Sequence, residues 1–543
     1  MNPLPPWAID AADHATAPPA LGDILKGPAA NWPDRDAVND GRTGLTFGQL
    51  EDAVRAVAGW LSEQGVEPGD RVAILAEKCT LMPILPVAIW RCGGVYVPCD
   101  ATSPPARLRA MLARIEPRVV IALDDRDPIY PHGQWLGREQ LDAIVSVPGP
   151  SRPSAMYARD QPAYIMFTSG STGEPKGVEI TAANLLAYFR NHNEVLRFTP
   201  EARVFSVAPF HFDVSIEDTL LPLSLGAYVF QFRSLHAGPI MRAVLARERI
   251  THLIAVSTLL TIMTGDGSGI TRKTLPSLEM VMTGAEVCDP AVMNVWKSSL
   301  PGTRVINAYG PTEVTIVCFS YELPRADDDR RTSYPIGRPL RGVEAKIMAD
   351  GVEVDAPGRT GELWVGGEQV MRGYFDQPDE TARLVVEVGG VRYYRTGDIC
   401  SYDGDGNVVF EGRDDDEVKL AGRRVHLGEI RQTALGHPGV ERAAVALIPR
   451  GGRDVIALIV MAAAADVIPE VESHLANLLP EYMRPALVAW SPSLSVSSTG
   501  KTDEGRLIAR LREAAKSSSS GYFGLTEGGD FEPMDEETVC AMQ

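Results

Sequence analysis

Apolar and polar positions follow a helical period along residues 46–65, TFGQLEDAVRAVAGWLSEQG. Thr46 stands before the first apolar position with Gln49 three residues later, the capping-box pattern that starts a helix, and Gly65 ends the segment. One apolar stripe, at spacings of three and four residues, is formed by Leu50, Val54, Val57 and Leu61. The pattern predicts an amphipathic helix that buries one face.

Short apolar runs alternate with such helical stretches. They include RVAIL at 71–75, HLIAVS at 252–257, LEMVMTG at 278–284 and RVINAYG at 304–310. This alternation predicts an α/β fold, with largely parallel sheets covered by helices. Ligands of such folds bind beyond the carboxyl ends of strands. Three polar loops follow predicted strands and are therefore candidate binding segments: 168–177, 283–286 and 307–313.

The pattern changes near residue 335 to short β segments with glycine-rich turns. GELWVGG and YYRTGDICSYDGDGNVVFEG predict an antiparallel ribbon with a hairpin at DGDG. A second change comes near 413, after which VERAAVALI and DVIALIVMA predict the strands of a smaller domain. We expect a large N-terminal domain (1–413) of helix-covered, mostly parallel sheets with a β-ribbon or barrel-like part. A small mobile α+β domain (414–515) and a flexible acidic tail (516–543) would follow.

Composition narrows the classes of function. The chain has 543 residues and a formal net charge of −19, which argues against nucleic acid as the main partner and against docking on anionic membranes. No apolar stretch approaches 18 residues, and the first residues, MNPLPPWAIDAADHA, lack a signal pattern. The seven cysteines are scattered without a C-x-x-C, which favours reduced thiols over disulfides or a zinc site. We therefore expect a cytoplasmic protein.

The first polar loop, TSGSTGEPKGV at 168–178, has the chemistry of an oxyanion site. It offers many hydroxyls and backbone N–H groups that few large side chains obstruct, and phosphate is the usual ligand of such loops. A Walker A loop requires Gly-Lys-Ser/Thr, whereas Lys176 is followed by Gly177. The alternative is a plain strand-to-helix turn with a surface lysine.

Six motifs occur in order: YIMFTSGSTGEPKGV, NAYGPTEVT, GELWVGG followed by RGYF, YRTGD, GRDDDEVKLAGRRVHLGEI and STGKTDEGRL. Over roughly residues 40–510 the set resembles the adenylate-forming superfamily, which includes acyl- and aryl-CoA synthetases, firefly luciferase and the adenylation domains of nonribosomal peptide synthetases. The resemblance implies an enzyme that joins a carboxylate to AMP, expels pyrophosphate and then passes the acyl group to a thiol. ATP and Mg²⁺ are the implied cofactors.

The resemblance also implies roles for single residues. The β- and γ-phosphates would be cradled by Thr168, Ser169, Gly170, Ser171, Thr172, Gly173 and Lys176. The rest of the nucleotide would lie against Gly284, Ala285, Glu286, Asn307, Ala308, Tyr309, Gly310, Asp398 and Arg413, with alanine at 285 where glycine is commoner. Thr312 would reach phosphate and Glu313 would bind Mg²⁺. Without the resemblance, NAYGPTE would be a Gly-Pro turn with a helix-starting glutamate, and Asp398 a hairpin residue.

Lys501, in STGK, is the implied catalytic residue, together with Thr312 and Glu313. A lysine point charge suits the position between the substrate carboxylate and the α-phosphate, whereas a lysine after a glycine turn is otherwise usually solvated. Because Lys501 belongs to the small domain, that domain would close for adenylation and turn away for thiol transfer. Asp415 would be the hinge, in an acidic run whose self-repulsion keeps the joint loose. Ala421, His426 and Arg431 depart from the commoner residues of this motif.

The substrate pocket resembles that of the amino-acid-activating branch. In FHFDVSIEDTLL, Asp213 matches the aspartate that grips an α-ammonium group, although it could also cap the following helix. The aligned pocket positions are Phe212, Asp213, Val214, Glu217, Ala255, Met282, Gly284, Ala308, Ile316 and Val317, with Ala255 and Met282 placed to within one residue.

Glu217 is the informative pocket position. It lies four residues after Asp213, so two acids share one helix face and would repel unless a cation lies near them. This favours an amino acid with a second ammonium group, such as lysine, ornithine or diaminobutyrate. The alternative is that Glu217 faces solvent or pairs with an arginine of the protein, in which case the substrate is a small neutral or β-amino acid.

About 40 residues follow Lys501, and they lack a phosphopantetheine-type serine after Leu-Gly-Gly. We therefore expect a separate carrier protein to receive the product in trans, in a natural-product pathway. Two other classes are an acyl- or aryl-CoA synthetase, which Asp213 disfavours, and a non-catalytic relative. The second is disfavoured by the presence of Lys176, Glu313, Asp398 and Lys501.

Overall fold

The computed structural model describes residues 21–124, 128–150, 153–158, 160–170, 175–233, 237–413, 415–451, 453–492, 504–526 and 530–534. Their α-helices are α1 Lys26–Asn31, α2 Phe47–Glu63, α3 Ile84–Arg91, α4 Pro105–Ile115, α5 Arg138–Val145, α6 Ala182–Leu196, α7 Leu221–Ser224, α8 Gly238–Arg247, α9 Ser257–Thr264, α10 Pro290–Ser299, α11 Pro378–Leu384, α12 Leu427–Leu435, α13 Ile468–Leu478 and α14 Glu504–Ser517. Among these helices, none combines the length and the apolar composition that a membrane crossing requires.

The strands of the first 340 residues are β1 Asp36–Asn39, β2 Gly44–Thr46, β3 Arg71–Leu75, β4 Val95–Cys99, β5 Val119–Ala122, β6 Gln134–Leu136, β7 Pro162–Thr168, β8 Lys176–Thr181, β9 Arg203–Ser206, β10 Tyr228–Gln231, β11 His252–Val256, β12 Met280–Gly284, β13 Arg304–Tyr309, β14 Phe319–Glu322 and β15 Arg338–Pro339. The later strands are β16 Val343–Ala349, β17 Val352–Glu353, β18 Gly361–Gly367, β19 Gly373–Tyr374, β20 Val385–Val388, β21 Val391–Tyr402, β22 Val408–Arg413, β23 Glu417–Leu420, β24 Arg423–His426, β25 Arg442–Arg450, β26 Arg453–Met461, β27 Leu487–Ser491, β28 Tyr522–Leu525 and β29 Phe531–Pro533.

The first predicted helix is α2, and its ends are those that the sequence indicates. The Thr46 hydroxyl accepts a hydrogen bond from the backbone N–H of Gln49, whose side chain accepts one from the N–H of Thr46. Gly65 has a φ of +75°, a left-handed conformation that suits glycine at a helix end. The whole predicted apolar stripe is buried.

Two mostly parallel sheets form the N-terminal part. One has the strand order β15-β14-β13-β12-β11-β9-β10-β1-β2 and the other β19-β8-β7-β4-β3-β5-β6. Six neighbouring strands of the first sheet, from β13 to β1, are parallel. The central strands are mostly buried and mostly apolar, as expected where helices cover both faces of a sheet. The fold is therefore α/β, as predicted.

A third, antiparallel sheet, in the order β17-β16-β18-β21-β20 with β22 on β21, forms the predicted ribbon. Its hairpin turns at Asp403–Gly406, the DGDG segment, where Asp403 accepts hydrogen bonds from the N–H groups of Asp405 and Asn407. The small C-terminal part contains the two-stranded β23–β24 hairpin and a five-stranded sheet, β25-β26-β27-β28-β29.

The predicted flexible tail is wrong for part of its length. Residues 522–525 form β28, which extends the C-terminal sheet beside β27, and residues 531–533 form β29, which pairs with β28. Phe523 and Phe531 are buried in the core beneath this sheet. Two apolar anchors thus offset the serine- and glycine-rich composition that suggested disorder.

Candidate functional site

The carboxyl ends of three neighbouring parallel strands, β11, β12 and β13, form the base of the site. Gly284 ends β12, and Ala308 lies beside it near the end of β13. A Cβ atom on Gly284 would lie 2.7 Å from the carbonyl oxygen of Ala308, so this approach requires glycine. Asn307 donates from its side-chain amide to the carbonyl oxygens of Tyr334 and Pro335, at 3.3 and 2.8 Å. Asn307 therefore fixes the strand end rather than offering its amide to a ligand.

Strand register places two predicted pocket residues in different cores. Met282 pairs with Ile254 and Ile306, and all three belong to the larger core. Ala255 pairs with Thr283 and belongs to a separate core, against which Val256 also packs. The structure therefore does not bring the side chain of Ala255 to the same face of the sheet as that of Met282.

The loop after β7 is the tip of a β-hairpin, since Thr168 pairs with Lys176 across β7 and β8. The hydroxyl of Thr168 is buried and has no hydrogen-bond partner among the described residues. The Ser169 hydroxyl donates to the carbonyl oxygen of Arg424 at 2.9 Å, and the Gly170 N–H donates to Glu429 at 3.3 Å. Both partners belong to the C-terminal part. Ser171, Thr172 and Gly173 lie outside the described residues.

Lys176 is buried and paired. Its ammonium group donates to Glu380 at 2.6 Å and lies 5.4 Å from the ring centroid of Tyr374. Hydrogen bonds from Arg383 and Lys176 lower the pKa of Glu380 to about 2. Lys176 therefore lies at the end of the loop, but in this conformation its ammonium group is paired with the Glu380 carboxylate of helix α11.

Glu313 is fully buried, and its charge is matched by an arginine from the C-terminal hairpin. Both carboxylate oxygens accept from Nη1 of Arg424 at 2.8 Å, and the Tyr374 hydroxyl donates at 2.7 Å. Burial alone would raise the pKa of Glu313, but the guanidinium and the hydroxyl hold it below its usual value. A cation therefore already lies where the sequence predicts Mg²⁺.

Asp398 links Tyr309, a predicted nucleotide residue, to the junction between the large and small parts of the chain. It accepts a hydrogen bond from the Tyr309 hydroxyl and pairs with Arg413 at 2.5 Å. Arg413 also holds Asp415, the predicted hinge, through two hydrogen bonds of 2.7 and 2.8 Å. The predicted self-repulsion of the acidic run is offset here, because Arg413 neutralises Asp415 and the buried Glu417 pairs with Arg424 at 2.5 Å.

The β23–β24 hairpin covers the nucleotide-side residues. Its turn residues, Ala421 and Gly422, both have positive φ angles, +50° and +76°. The Gly422 N–H donates to Glu286 at 2.6 Å, and a Cβ atom there would meet Val256 at 2.5 Å. Lys419 lies 5.4 Å from the ring centroid of Tyr309. The other departures from the motif lie further along, where the His426 ring accepts from the Gly428 N–H and Arg431 pairs with Asp416.

The loop after β13 is strained at its far end. Gly310 admits no side chain, since a Cβ atom would lie 2.3 Å from the Ile316 carbonyl oxygen. Thr315 and Ile316 both have positive φ, a costly conformation for β-branched residues. Gln369 holds this segment in place. Its backbone carbonyl oxygen accepts from the Thr315 hydroxyl, and its side-chain amide donates to the backbone carbonyl oxygen of Val317 at 2.9 Å.

The predicted ammonium-binding aspartate lies beside Thr312. Asp213 is buried; burial raises its pKa to about 6, although a hydrogen bond with Thr312 opposes the rise. It precedes a π-helix, Ile216–Leu220, which has no side-chain cap. π-Helical turns are rare and occur frequently at functional sites. Phe212 and Val214, on either side of Asp213, are half-buried, and the Phe212 ring lies 5.9 Å from the guanidinium of Arg423.

Glu217 shows neither of the two alternatives to substrate binding, which were exposure to solvent and pairing with an arginine of the described chain. It is 0% exposed and forms no pair with an arginine of the described chain; instead Oε2 accepts from the Tyr188 hydroxyl at 2.7 Å. Its Oε1 has no hydrogen-bond partner among the described residues. Burial, together with the neighbouring carboxylates of Asp218 and Asp213, raises its pKa to about 8.

Several contacting residues are absent from the sequence-based site. They are Tyr188, His192, Gln369, Tyr374, Glu380 and Arg424. Arg424 lies in a motif recognised above, but its partner depends on how the domains pack. Tyr188 and His192 show the helical spacing of four residues, which places them on one face without indicating what that face meets. Lys501 lies outside the described residues.

The AMP-binding enzyme family matches residues 25–375. The chain belongs to this family. It is 31% identical over 489 residues to novobiocin biosynthesis protein H of Streptomyces niveus, covering 87% of this chain and 79% of that protein. It is 33% identical over 508 residues to delta-poly-L-ornithine synthetase of Acinetobacter baumannii, covering 90% of this chain and 36% of that protein. The fold matches PA1221, an NRPS protein containing adenylation and PCP domains, with a TM-score of 0.79, 24% identity and coverage of 91% and 84%.

These likenesses confirm the resemblance to the adenylate-forming superfamily. This AMP-binding enzyme is an ATP-dependent adenylating ligase of the nonribosomal peptide synthetase type. The chain spans about a third of the ornithine synthetase, so it corresponds to one part of that larger protein.

Ala285 gives a test of the strand-end backbone. Its φ of +65° disfavours alanine, and its side chain is half-buried. Ala285→Gly should therefore raise the free energy of unfolding by about 1 kcal/mol in chemical denaturation. The same change at the exposed helical residue Ala143 should lower it by about 1 kcal/mol. A loss of stability at both positions would contradict the strained backbone at 285.

Proposed function

We propose that the enzyme activates an amino acid with a second, side-chain ammonium group, such as lysine, ornithine or diaminobutyrate, as its aminoacyl-AMP. The observation that carries this proposal is the bare, buried Oε1 of Glu217 near the carboxylate of Asp213. A buried acceptor without a donor is unfavourable, and an ammonium group supplies three donors and the opposite charge. The name of the ornithine synthetase relative supports the same substrate class.

Asp213 would bind the α-ammonium group and Glu217 the distal one. Gly284, Ala308 and Met282 would form the floor between them, and their small or slender side chains would leave length for a straight substrate side chain. Ile316 and Val317, held by Gln369, would close the pocket beside them.

Adenylation requires two anions to meet, the substrate carboxylate and the α-phosphate of ATP. We assign the 168–176 loop to the β- and γ-phosphates, Tyr309 and Asp398 to adenosine, and Thr312 to the α-phosphate. Lys501 would lie between the reacting groups and stabilise the charge that grows as pyrophosphate leaves.

Glu313 fits Mg²⁺ in its chemistry, since it is a buried carboxylate whose present partner is a cation. The described residues contain no cluster of three or more metal-binding side chains, so phosphate oxygens and water would complete the coordination shell. When bound, Mg²⁺ would neutralise phosphate charge. Arg424 would first have to leave Glu313.

The contacts of Arg424 and Glu429 with Glu313 and Gly170 therefore belong to a conformation that excludes the metal and the phosphates. We propose that the C-terminal part rotates about Asp415 between this arrangement and one in which Lys501 reaches the site. The arrangement described here would serve transfer to the phosphopantetheine thiol of a carrier protein acting in trans.

Pyrophosphate exchange over a panel of acids tests the proposed function. We expect exchange with ornithine or lysine to exceed exchange with norvaline, benzoate and a fatty acid. Preference for an acid without an amine would instead support an acyl- or aryl-CoA synthetase, and preference for a neutral amino acid the second candidate substrate class. A lack of exchange with every acid would contradict catalysis.

Lys501→Ala tests the catalytic assignment. Loss of one electrostatic donor should slow adenylation roughly 10²- to 10³-fold. Transfer from chemically prepared aminoacyl-AMP to a thiol should fall much less, because the phosphate bond is already formed. Single-turnover assays separate the two steps. Equal losses in both would remove the proposed role, and Lys516→Ala, at the end of α14, is the control.

Glu217→Gln tests the pocket charge. Replacing the carboxylate by an amide should reduce the ratio of kcat/KM for ornithine to that for norvaline roughly 10- to 100-fold, since a charge-assisted hydrogen bond is lost. The exposed Glu63→Gln is the matched control. An unchanged ratio would mean that Glu217 does not meet the substrate side chain.

A further inference from the structure

Glu217 is the end of a buried chain of three side chains. Tyr188 and His192 lie four residues apart on α6, and the Tyr188 hydroxyl oxygen is 2.7 Å from both Glu217 Oε2 and His192 Nδ1. All three side chains are completely buried. Glu217 Oε1 and His192 Nε2 have no hydrogen-bond partner among the described residues, although Oε1 lies 3.8 Å from His192 Nδ1.

The neighbouring acids are already satisfied in a way that Glu217 is not. Asp218 accepts from the Ser206 hydroxyl and from the N–H groups of Val207 and Ala208, and the ammonium group of Lys78 lies 3.9 Å away. Asp213 interacts with Thr312. Among the three acids, the bare oxygen belongs to Glu217.

The Tyr188 hydroxyl has one proton and two hydrogen-bonding neighbours, so the three side chains have two possible hydrogen-bond arrangements. With Glu217 ionised, Tyr188 donates to Oε2 and the Nδ1–H of neutral His192 donates to the tyrosine oxygen. With Glu217 protonated, Glu217 donates to the tyrosine oxygen, Tyr188 donates to Nδ1, and the imidazole proton is on Nε2. The two arrangements differ by one proton, and every hydrogen bond of the chain is kept in both.

We propose that Tyr188 and His192 are positioning residues for substrate selection, which hold Glu217 through Oε2 and let it ionise when a substrate ammonium group meets Oε1. This inference rests on the proposed function, because it needs Glu217 to face the amino-acid side chain. It adds two residues of α6 that act through Glu217 rather than by touching the substrate.

The pH dependence follows from the charges around Glu217. Burial raises its pKa to about 8, and the ionised form is needed for a cationic side chain. The groups facing it are Asp213 and Asp218 on its own segment, Tyr188 and His192 on α6, Tyr164 on β7 and, through Asp218, Lys78. The ratio of kcat/KM for ornithine to that for norvaline should therefore rise with pH, about tenfold per unit below pH 8, and level off above it.

Tyr188→Phe tests the chain with little change in shape. Loss of the donor to the charged carboxylate should raise the pKa of Glu217. The pH at which the ornithine-to-norvaline ratio of kcat/KM levels off should therefore be about one unit higher. At pH 7 the ratio should fall about tenfold through KM for ornithine, with norvaline kinetics within twofold of wild type. His192→Asn should largely retain the ratio, because its amide nitrogen can replace Nδ1 as a donor to Tyr188. Tyr96→Phe removes another buried hydroxyl without a partner in the described chain and is the matched control.

A second measurement needs no substrate. Between pH 4.5 and about 8 the folded protein binds the Glu217 proton more tightly than the unfolded chain does. The free energy of unfolding of the wild type, relative to that of Glu217→Gln, should therefore fall as pH rises through this window. In the Tyr188→Phe background this fall should extend to higher pH. Thermal unfolding of the wild type, the two single variants and the double variant measures it.

The outcomes separate the inference from the proposed function. If ornithine is preferred but Tyr188→Phe affects ornithine and norvaline equally, the inference is overturned and the substrate class stands. If Tyr188→Phe moves the stability window but no basic amino acid is preferred, the substrate class and the selection role both fall. If neither the ratio nor the window moves, the chain has no influence on Glu217.

Discussion

Buried carboxylates need a matching charge or a proton, and this requirement organises the centre of the molecule. Asp398 has Arg413, Glu429 has Arg107, and Glu313 has Arg424. Each pair is expensive to bury, so removal of one partner leaves an uncompensated charge in a poorly polarisable interior. Glu217, whose protein partner is a neutral tyrosine, is the contrasting case.

Two of these matching charges come from a different domain than the acids they serve. Arg424 projects from the β23–β24 hairpin onto Glu313, and Arg107 of α4 reaches Glu429 of α12. The position of the C-terminal part is therefore coupled to the charges of Glu313 and Glu429. In the proposed function, a ligand that brings its own cation to Glu313 would compete with Arg424 and release the hairpin. The proposed domain movement would in that sense be an exchange of counter-ions.

The sequence predicted the elements whose signals are local. Thr46 and Gln49 cap α2 because a capping box involves residues three apart, and the strand ends at Gly284 and Ala308 follow from short apolar runs. The face of the sheet on which Ala255 lies could not be predicted, because a one-residue uncertainty along β11 reverses the side to which a side chain points. The tail was misjudged because two phenylalanines, Phe523 and Phe531, outweigh a disordered composition once a sheet edge is available to them. The motif set gave the candidate nucleotide residues but not their present partners, since Lys176–Glu380 and Glu313–Arg424 are more than 100 residues apart in sequence.

The selectivity proposed for Glu217, towards a charged side chain, has a further physical requirement. A carboxylate permanently paired with an arginine would have little attraction left for a substrate, and an ionised carboxylate without any partner would destabilise the folded protein. A carboxyl group that keeps its proton until a cation arrives avoids both problems. Its supporting residues must then accept or donate according to the state of that proton, and a hydroxyl backed by an imidazole does both. Tyr188 and His192, buried on one face of α6 and joined by a hydrogen bond, supply this pair of groups in the proposed arrangement.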